Sequence, residues 1–243
     1  TADTDTELKQ NSLVLSGMTF DSAGNIKFGL STDVGGDTLT LAVANVEIEN
    51  DTGKTLTVYS TVIGNFDLVL DGAGVKNFES TLGAGGGAKE IGDGTGASIA
   101  WGATSTGATT FKGSVETNSG LTAAKEVGAI TFLENVTIST ADTDTDLKQN
   151  SLTLSGLIFD SAGNIKFGLA ANADGSSAIG DDTLTLAAAD VEIENDTGKT
   201  LTVYSKVEGN FDLALDGAGA KDFESTLGAG GGAKEIGDGT GAS

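Results

Sequence analysis

The chain contains no cysteine, proline, histidine or arginine, and each absence removes a class of explanation. Without cysteine there is no disulfide scaffold and no zinc–thiolate centre. Without histidine, cysteine or arginine there is no imidazole base, thiolate nucleophile or guanidinium clamp. Chemistry is left to carboxylates, lysine, hydroxyls and the backbone, which points away from an enzyme. Positive charge is also scarce: 13 lysines stand against 35 acidic residues, a net charge of −22. Nucleic acid and anionic membrane surfaces are bound through basic residues, so neither is an expected partner. No apolar run approaches the roughly 18 residues that span a bilayer. The opening Thr1-Ala2-Asp3-Thr4 has no initiator methionine and no charged-then-apolar leader, so the sequence reads as a processed chain or an excerpt.

What is present is glycine, 37 residues of it, and a hydrophobic fraction of 38% with few aromatics. Acidic, glycine-rich chains often stay disordered, but here the apolar residues are ordered in sequence. Leu39-Thr40-Leu41, Leu56-Thr57-Val58 and Phe66-Asp67-Leu68-Val69-Leu70 alternate with period two, the pattern of strands with one buried face. The nearest thing to a helical period, Leu121 to Val127, is too short to stand alone.

The chain repeats itself. Residues 1–30 recur at 140–169 with four changes, and residues 37–98 recur at 182–243 with seven. The second copy has six extra residues, Ala170 to Asp181 against Ser31 to Gly36. Segment 99–139 occurs once, giving a main part (1–98), connecting coils (99–139) and a second, shorter copy (140–243). The chain stops at Ser243, the copy of Ser98, and a consistent continuation would read like Ile99-Ala100-Trp101. Two globular domains on a linker would also repeat, but 99–139 is itself patterned as strands.

The differences between copies predict facing. Ile63 becomes Glu208 and Thr61 becomes Lys206, so both positions face water. Val14 becomes Thr153, which puts residue 14 outside and Leu13 and Leu15 inside. Val69→Ala214 and Val75→Ala220 mark tight or half-exposed sites. Met18→Leu157 conserves core volume.

Inside the long unit a ragged shorter period recurs. Phe111, Phe132 and Leu154 stand 21 and 22 residues apart, with corners such as Asp21-Ser22-Ala23-Gly24-Asn25 and Asn50-Asp51-Thr52-Gly53. Strand–corner–strand at this spacing predicts an all-β parallel solenoid, in which stacked coils share one core. Parallel crossovers predict a right hand. About twelve coils at roughly 4.8 Å would make a rod of about 58 Å. The alternative is a string of β-sandwich domains, against which stand the missing proline and the scarce aromatics.

Candidate sites follow from spacing. Asp3, Asp5 and Glu7, and again Glu47, Glu49 and Asp51, are two residues apart, so each set lies along one side of a strand. Their copies are Asp142, Asp144, Asp146 and Glu192, Glu194, Asp196. Such hard oxygen ligands suit Ca2+, but no complete EF-hand or nonapeptide repeat is present, and a solvated acidic face that keeps the rod soluble explains them better. Paired carboxylates could serve a polysaccharide-cleaving enzyme, but no basic cluster accompanies them. Gly83-Ala84-Gly85-Gly86-Gly87-Ala88-Lys89-Glu90 lacks the Gly-Lys-Ser/Thr of a phosphate loop, and it reads as a projecting loop or corner. Thr38/Thr40, Thr55/Thr57, Thr183/Thr185 and Thr200/Thr202 could form flat threonine arrays, which irregular coil length argues against. Asn-x-Thr at Asn50, Asn135 and Asn195 matters only in a glycosylating host.

The Leu-x-Leu and Val-x-Ile rungs, the Gly/Asn/Asp corners, phrases such as Ala108-Thr109-Thr110-Phe111-Lys112-Gly113-Ser114-Val115 and the acidic balance resemble the giant repetitive surface proteins of bacteria. These are filamentous-haemagglutinin-like and autotransporter-passenger-like β-solenoids. The resemblance implies a parallel β-helix exported to the cell surface with a structural or adhesive role. No cofactor is expected from the residues, Ca2+ at the acidic rows excepted. Near-identical units point further to a tandem array in a fibre, sheath or surface layer that assembles with itself. An adhesin offering its glycine-rich loops to a glycan is the alternative, and a polysaccharide-degrading β-helix a remote one.

Overall fold

The structure, a computed structural model, describes residues 4–140, 143–149, 151–170, 182–228 and 236. Every strand pairing between its short strands is parallel among the described residues. Successive strands take turns on three faces. The first face stacks Thr6–Leu8, Ile26–Phe28, Thr55–Val58, Val75–Phe78, Thr109–Phe111, Ile130–Phe132, Ser151–Leu154, Thr183–Leu186 and Lys206–Gly209. The second stacks Ser12–Ser16, Thr38–Ala42 and Thr61–Ile63, then Val115–Thr117, Val136–Ile138, Ile158–Ser161, Val191–Asn195 and Leu213–Asp216. Single bridges from Leu82 to Val62 and Val115 join these two runs. The third stacks Thr19–Ser22, Val46–Asn50, Leu68–Asp71, Ile99–Trp101, Leu121–Ala123, Thr145–Leu147, Ile165–Phe167, Thr200–Val203 and Ala220–Phe223.

This is a parallel β-solenoid, as the alternation and the short period predict, and sandwich domains are excluded because their sheets are antiparallel. The coil count differs from the expectation. Among the described residues two faces carry nine strands each, not twelve, and coil length is uneven: Thr6 to Ile26 makes a short coil and Val75 to Thr109 a much longer one. The excess is taken up at corners, so the strands stay in register while the loops do not.

Inward side chains stack on their counterparts one coil away. On the first face Phe28, Val58, Phe78, Phe111, Phe132, Leu154 and Leu186 form one continuous column. Rings of Phe78, Phe111 and Phe132 lie parallel with centroids 5.0 Å apart at each step. Trp101 reaches the same column edge-on at 6.0 Å from Phe111, and its indole N–H donates to the inward Thr109 hydroxyl at 3.0 Å. A parallel coil cannot bury its apolar side alone, so each residue owes its burial to the coils above and below.

All but one of the differences at Val14, Thr61, Ile63, Val75 and Met18 fall where facing predicts. Val14 is 57% exposed while Leu15 is 3%. Thr61 and Ile63 point outward, and their replacements Lys206 and Glu208 form an ion pair at 2.7 Å. Val75 is half-exposed. Met18 departs from the core site expected of it: it is 41% exposed, unlike its copy Leu157 at 3%, because the strand after Leu157 stacks on Val136–Ile138 whereas Thr19–Ser22 is the end strand of its face among the described residues.

The corners demand glycine at particular points. Gly72 has φ 76°, and a Cβ there would sit 2.2 Å from the Asn50 carbonyl oxygen on the coil below. Gly53 has a similar φ of 75°, yet nothing lies within 4 Å of its Cβ direction. Gly53→Ala is expected to cost about 1–2 kcal/mol for the left-handed backbone alone. Gly72→Ala carries that same cost plus the steric clash, so its loss in urea-unfolding stability must be clearly larger; equal losses would contradict this packing.

Candidate functional site

The acidic rows are only partly assembled as spacing suggests. Asp3 and Asp142 lie outside the described residues. Asp5 accepts from the backbone N–H and side-chain amide of Asn25, at 3.1 and 2.9 Å, and Asp144 repeats this with Asn164. Glu7 sits between Lys27 at 2.8 Å and Lys9 at 2.6 Å; hydrogen bonding to these lysines pulls its pKa down to about 2. Asp146 pairs with Lys148 at 2.8 Å. These carboxylates are bound into corners and ion pairs rather than aligned as an open row.

Glu47 and Glu49 do share the outer side of Val46–Asn50, with Asp51 in the turn that follows, and Glu192, Glu194 and Asp196 repeat the arrangement. A tighter set runs across the strands, which spacing along the chain does not reveal. Asp21, Glu49 and Asp71 are direct neighbours on three consecutive strands of the third face. Asp160, Glu194 and Asp216 form the same column on the second. Parallel strands place such groups about 4.8 Å apart. Loss of hydration and the stacked Asp21 and Asp71 push the Glu49 pKa up; Asp160 and Asp216 do the same to Glu194, aided by desolvation. Among the described residues no group of three or more carboxylates converges to hold a metal ion.

Beneath the first column lies Lys76, whose side chain is fully buried. Its ammonium donates to the Gly72 and Gly74 carbonyls at 2.6 and 3.0 Å, and Lys221 repeats both bonds to Gly217 and Gly219 at the same distances. Burial pulls the Lys76 pKa down to about 8, against the opposing pull of Asp71 and Glu49. Beside it the fully buried Asn50 donates to the Lys54 and Val75 carbonyls. This corner ties two coils together through side chains where the strand ladder breaks.

Segment 83–98 is pinned at both ends and open at its tip. Gly85 N–H donates to Glu116 at 2.8 Å, Ser139 donates to Glu90 at 2.8 Å, and Ile91 is buried. Gly85 to Lys89 is exposed and includes a single 3-10 turn, Gly87–Lys89. Of its copy, 228–243, only Gly228 and Ile236 lie among the described residues. Asn50 and Asn195 are fully buried, so Asn135 alone of the three Asn-x-Thr sites faces solvent.

The threonine pairs named from sequence are spread over three faces, Thr38/Thr40 on the second, Thr55/Thr57 and Thr183/Thr185 on the first and Thr200/Thr202 on the third. A different column forms instead: Thr110, Thr131, Thr153 and Thr185 stack in register on the first face. Irregular coil length does not disturb it, because corners absorb the excess. Open grooves of 220 to 330 Å3 line the surface; one is formed around Trp101, Lys125 and Asp146, another around Glu7, Lys27 and Tyr59.

No helix among the described residues is long and apolar enough to cross a membrane. No family model matches the chain, and no curated protein or solved structure matches it either.

Two expectations follow. Lys76→Met leaves the Gly72 and Gly74 carbonyls unpaired in a dry corner, and chemical denaturation should record a loss of about 1–3 kcal/mol. The acidic columns act in the opposite sense. An acid whose folded pKa is raised binds protons more readily when folded, so its contribution to stability grows as pH falls from 7 through the carboxylate range. Glu7 stabilises above its unfolded value of 4.5 and loses this as pH falls towards about 2. Melting temperature should therefore rise on mild acidification and fall at lower pH. Glu194→Gln should raise it at pH 7 and flatten the rise; an unchanged profile would remove the column as a source of repulsion.

Proposed function

We propose that the chain is a segment of a stiff extracellular solenoid used as building material in a fibre, sheath or surface layer. It has no catalytic role in this reading. The observation that carries the proposal is the join between the copies. Ile130 and Phe132 of the connecting segment stack on Leu152 and Leu154 of the second copy, just as Lys76 and Phe78 of the first copy stack on Thr109 and Phe111 of that segment. Units therefore concatenate with one backbone ladder and one core, and rod length scales with copy number. The near-identity of the copies, the acidic surface and the bacterial surface-protein style of the sequence support the same role.

The self-association expected of such material has a candidate surface. Leu70 and Leu82 are fully buried where later coils cover them, whereas their copies Leu215 and Leu227 are 42% and 50% exposed. This face suits another coil of the same kind, supplied by a further unit or by a second chain meeting it end to end in a heterologous, filament-forming contact. A second role, presenting the exposed Gly85 to Lys89 tip to a glycan, is favoured by that tip alone and would appear as loop-dependent binding on a glycan array.

Negative-stain microscopy tests the main proposal. The chain should form rods or filaments without ligand, and Leu215→Asp with Leu227→Asp should shorten them while leaving the melting temperature within about 2 °C, because exposed positions contribute little to folding. Compact, unassociated particles from the parent chain would overturn it.

A further inference from the structure

The two copies of the long unit occupy different sides of the rod. Thr6–Leu8 lies on the first face and its copy Thr145–Leu147 on the third. Ser12–Ser16 lies on the second and its copy Ser151–Leu154 on the first; Thr19–Ser22 lies on the third and its copy Ile158–Ser161 on the second. The displacement persists to the last strands, where Leu68–Asp71 is on the third face and Leu213–Asp216 on the second.

The cause is a count of sides. Sixteen strands precede Thr145–Leu147, and the Leu82 bridge fills one further side between Thr61–Ile63 and Val115–Thr117. The unit thus occupies 17 sides of a three-sided rod, which is five full turns and two thirds of another. The six extra residues of the second copy come between Ile165–Phe167 and Thr183–Leu186, which correspond to the consecutive strands Ile26–Phe28 and Thr38–Ala42 and, like them, lie on adjoining faces, so the displacement is the same before and after them.

We propose that the long unit is a screw element. In an array each unit is turned two faces on from its predecessor, so a given surface group returns to the same face only at every third unit. This deepens the structural role proposed above and rests on units recurring in tandem. At roughly 4.8 Å per coil, one unit advances about 27 Å and three units, 17 whole coils, about 82 Å. The acidic column shows the effect directly: it lies on the third face as Asp21, Glu49 and Asp71 and on the second as Asp160, Glu194 and Asp216. A third unit would carry it on the first. The surface therefore fits second copies of the rod approaching from three directions, as in a bundle with three equivalent lateral contacts, and not a two-sided ribbon.

The absence of cysteine makes the test clean. In the present chain, Thr131→Cys with Thr153→Cys lie opposite each other on neighbouring strands of the first face and should crosslink on mild oxidation. Thr137→Cys, on the second face, should not crosslink with Thr153→Cys. Crosslinking from 137 in place of 131 would place both copies on the same side and overturn the screw. The second arm uses the chain extended by further units, with Thr52→Cys and its copies carrying gold labels. Electron micrographs should show labels in three lines around the rod, each with a spacing of about 82 Å. Labels in one line at a third of that spacing overturn the screw alone; an extended chain that forms no rod overturns the tandem-array role beneath it.

Discussion

The structure depends on the register of parallel stacking. Each inward side chain meets its equivalent one coil above and one below, so apolar residues form columns and the columns form the core. A single residue out of place is felt along the axis, since both neighbours lose contact. Inward polar residues have to find partners within this stack, and three of them show how. Thr109 accepts from Trp101, Lys76 covers two carbonyls, and Asn50 bridges a corner.

The same register that aligns apolar residues inside aligns charges outside. Asp21, Glu49 and Asp71 are brought together because the columns beneath them, Phe20, Ile48 and Leu70, must coincide. The repulsion is a by-product of core alignment, set partly against the buried lysine below. Elsewhere the surface has adjusted: where Thr61 and Ile63 stand in one copy, Lys206 and Glu208 supply an ion pair in the other.

Much of the fold is legible in the sequence. Period-two alternation marks the strands, the missing proline suits a ladder that needs every N–H, and substitutions such as Val14 to Thr153 reveal which side is wet. The number of coils is not legible, because the long stretch from Val75 to Thr109 looks like more than one turn but passes mostly through a corner. The acidic column and the threonine column escape for a related reason. The sequence distance between their members varies from coil to coil, so only the pairing register reveals them. Lys76 shares the inner side of its strand with Phe78 by alternation, but a lysine there has no evident partner in the sequence, and the Gly72 and Gly74 carbonyls that accept from its ammonium are seen only once the corner is folded.

The corners that absorb length also bear on how such a protein changes over generations. Where the coding sequences of two units match as closely as their amino acids do, misaligned exchange deletes or duplicates a whole unit at once. Each strand would then still rest on the strand type it already contacts, because the relation between neighbouring coils is the same at every equivalent boundary. Shorter and longer forms could arise in a single genetic event with no new packing problem to solve.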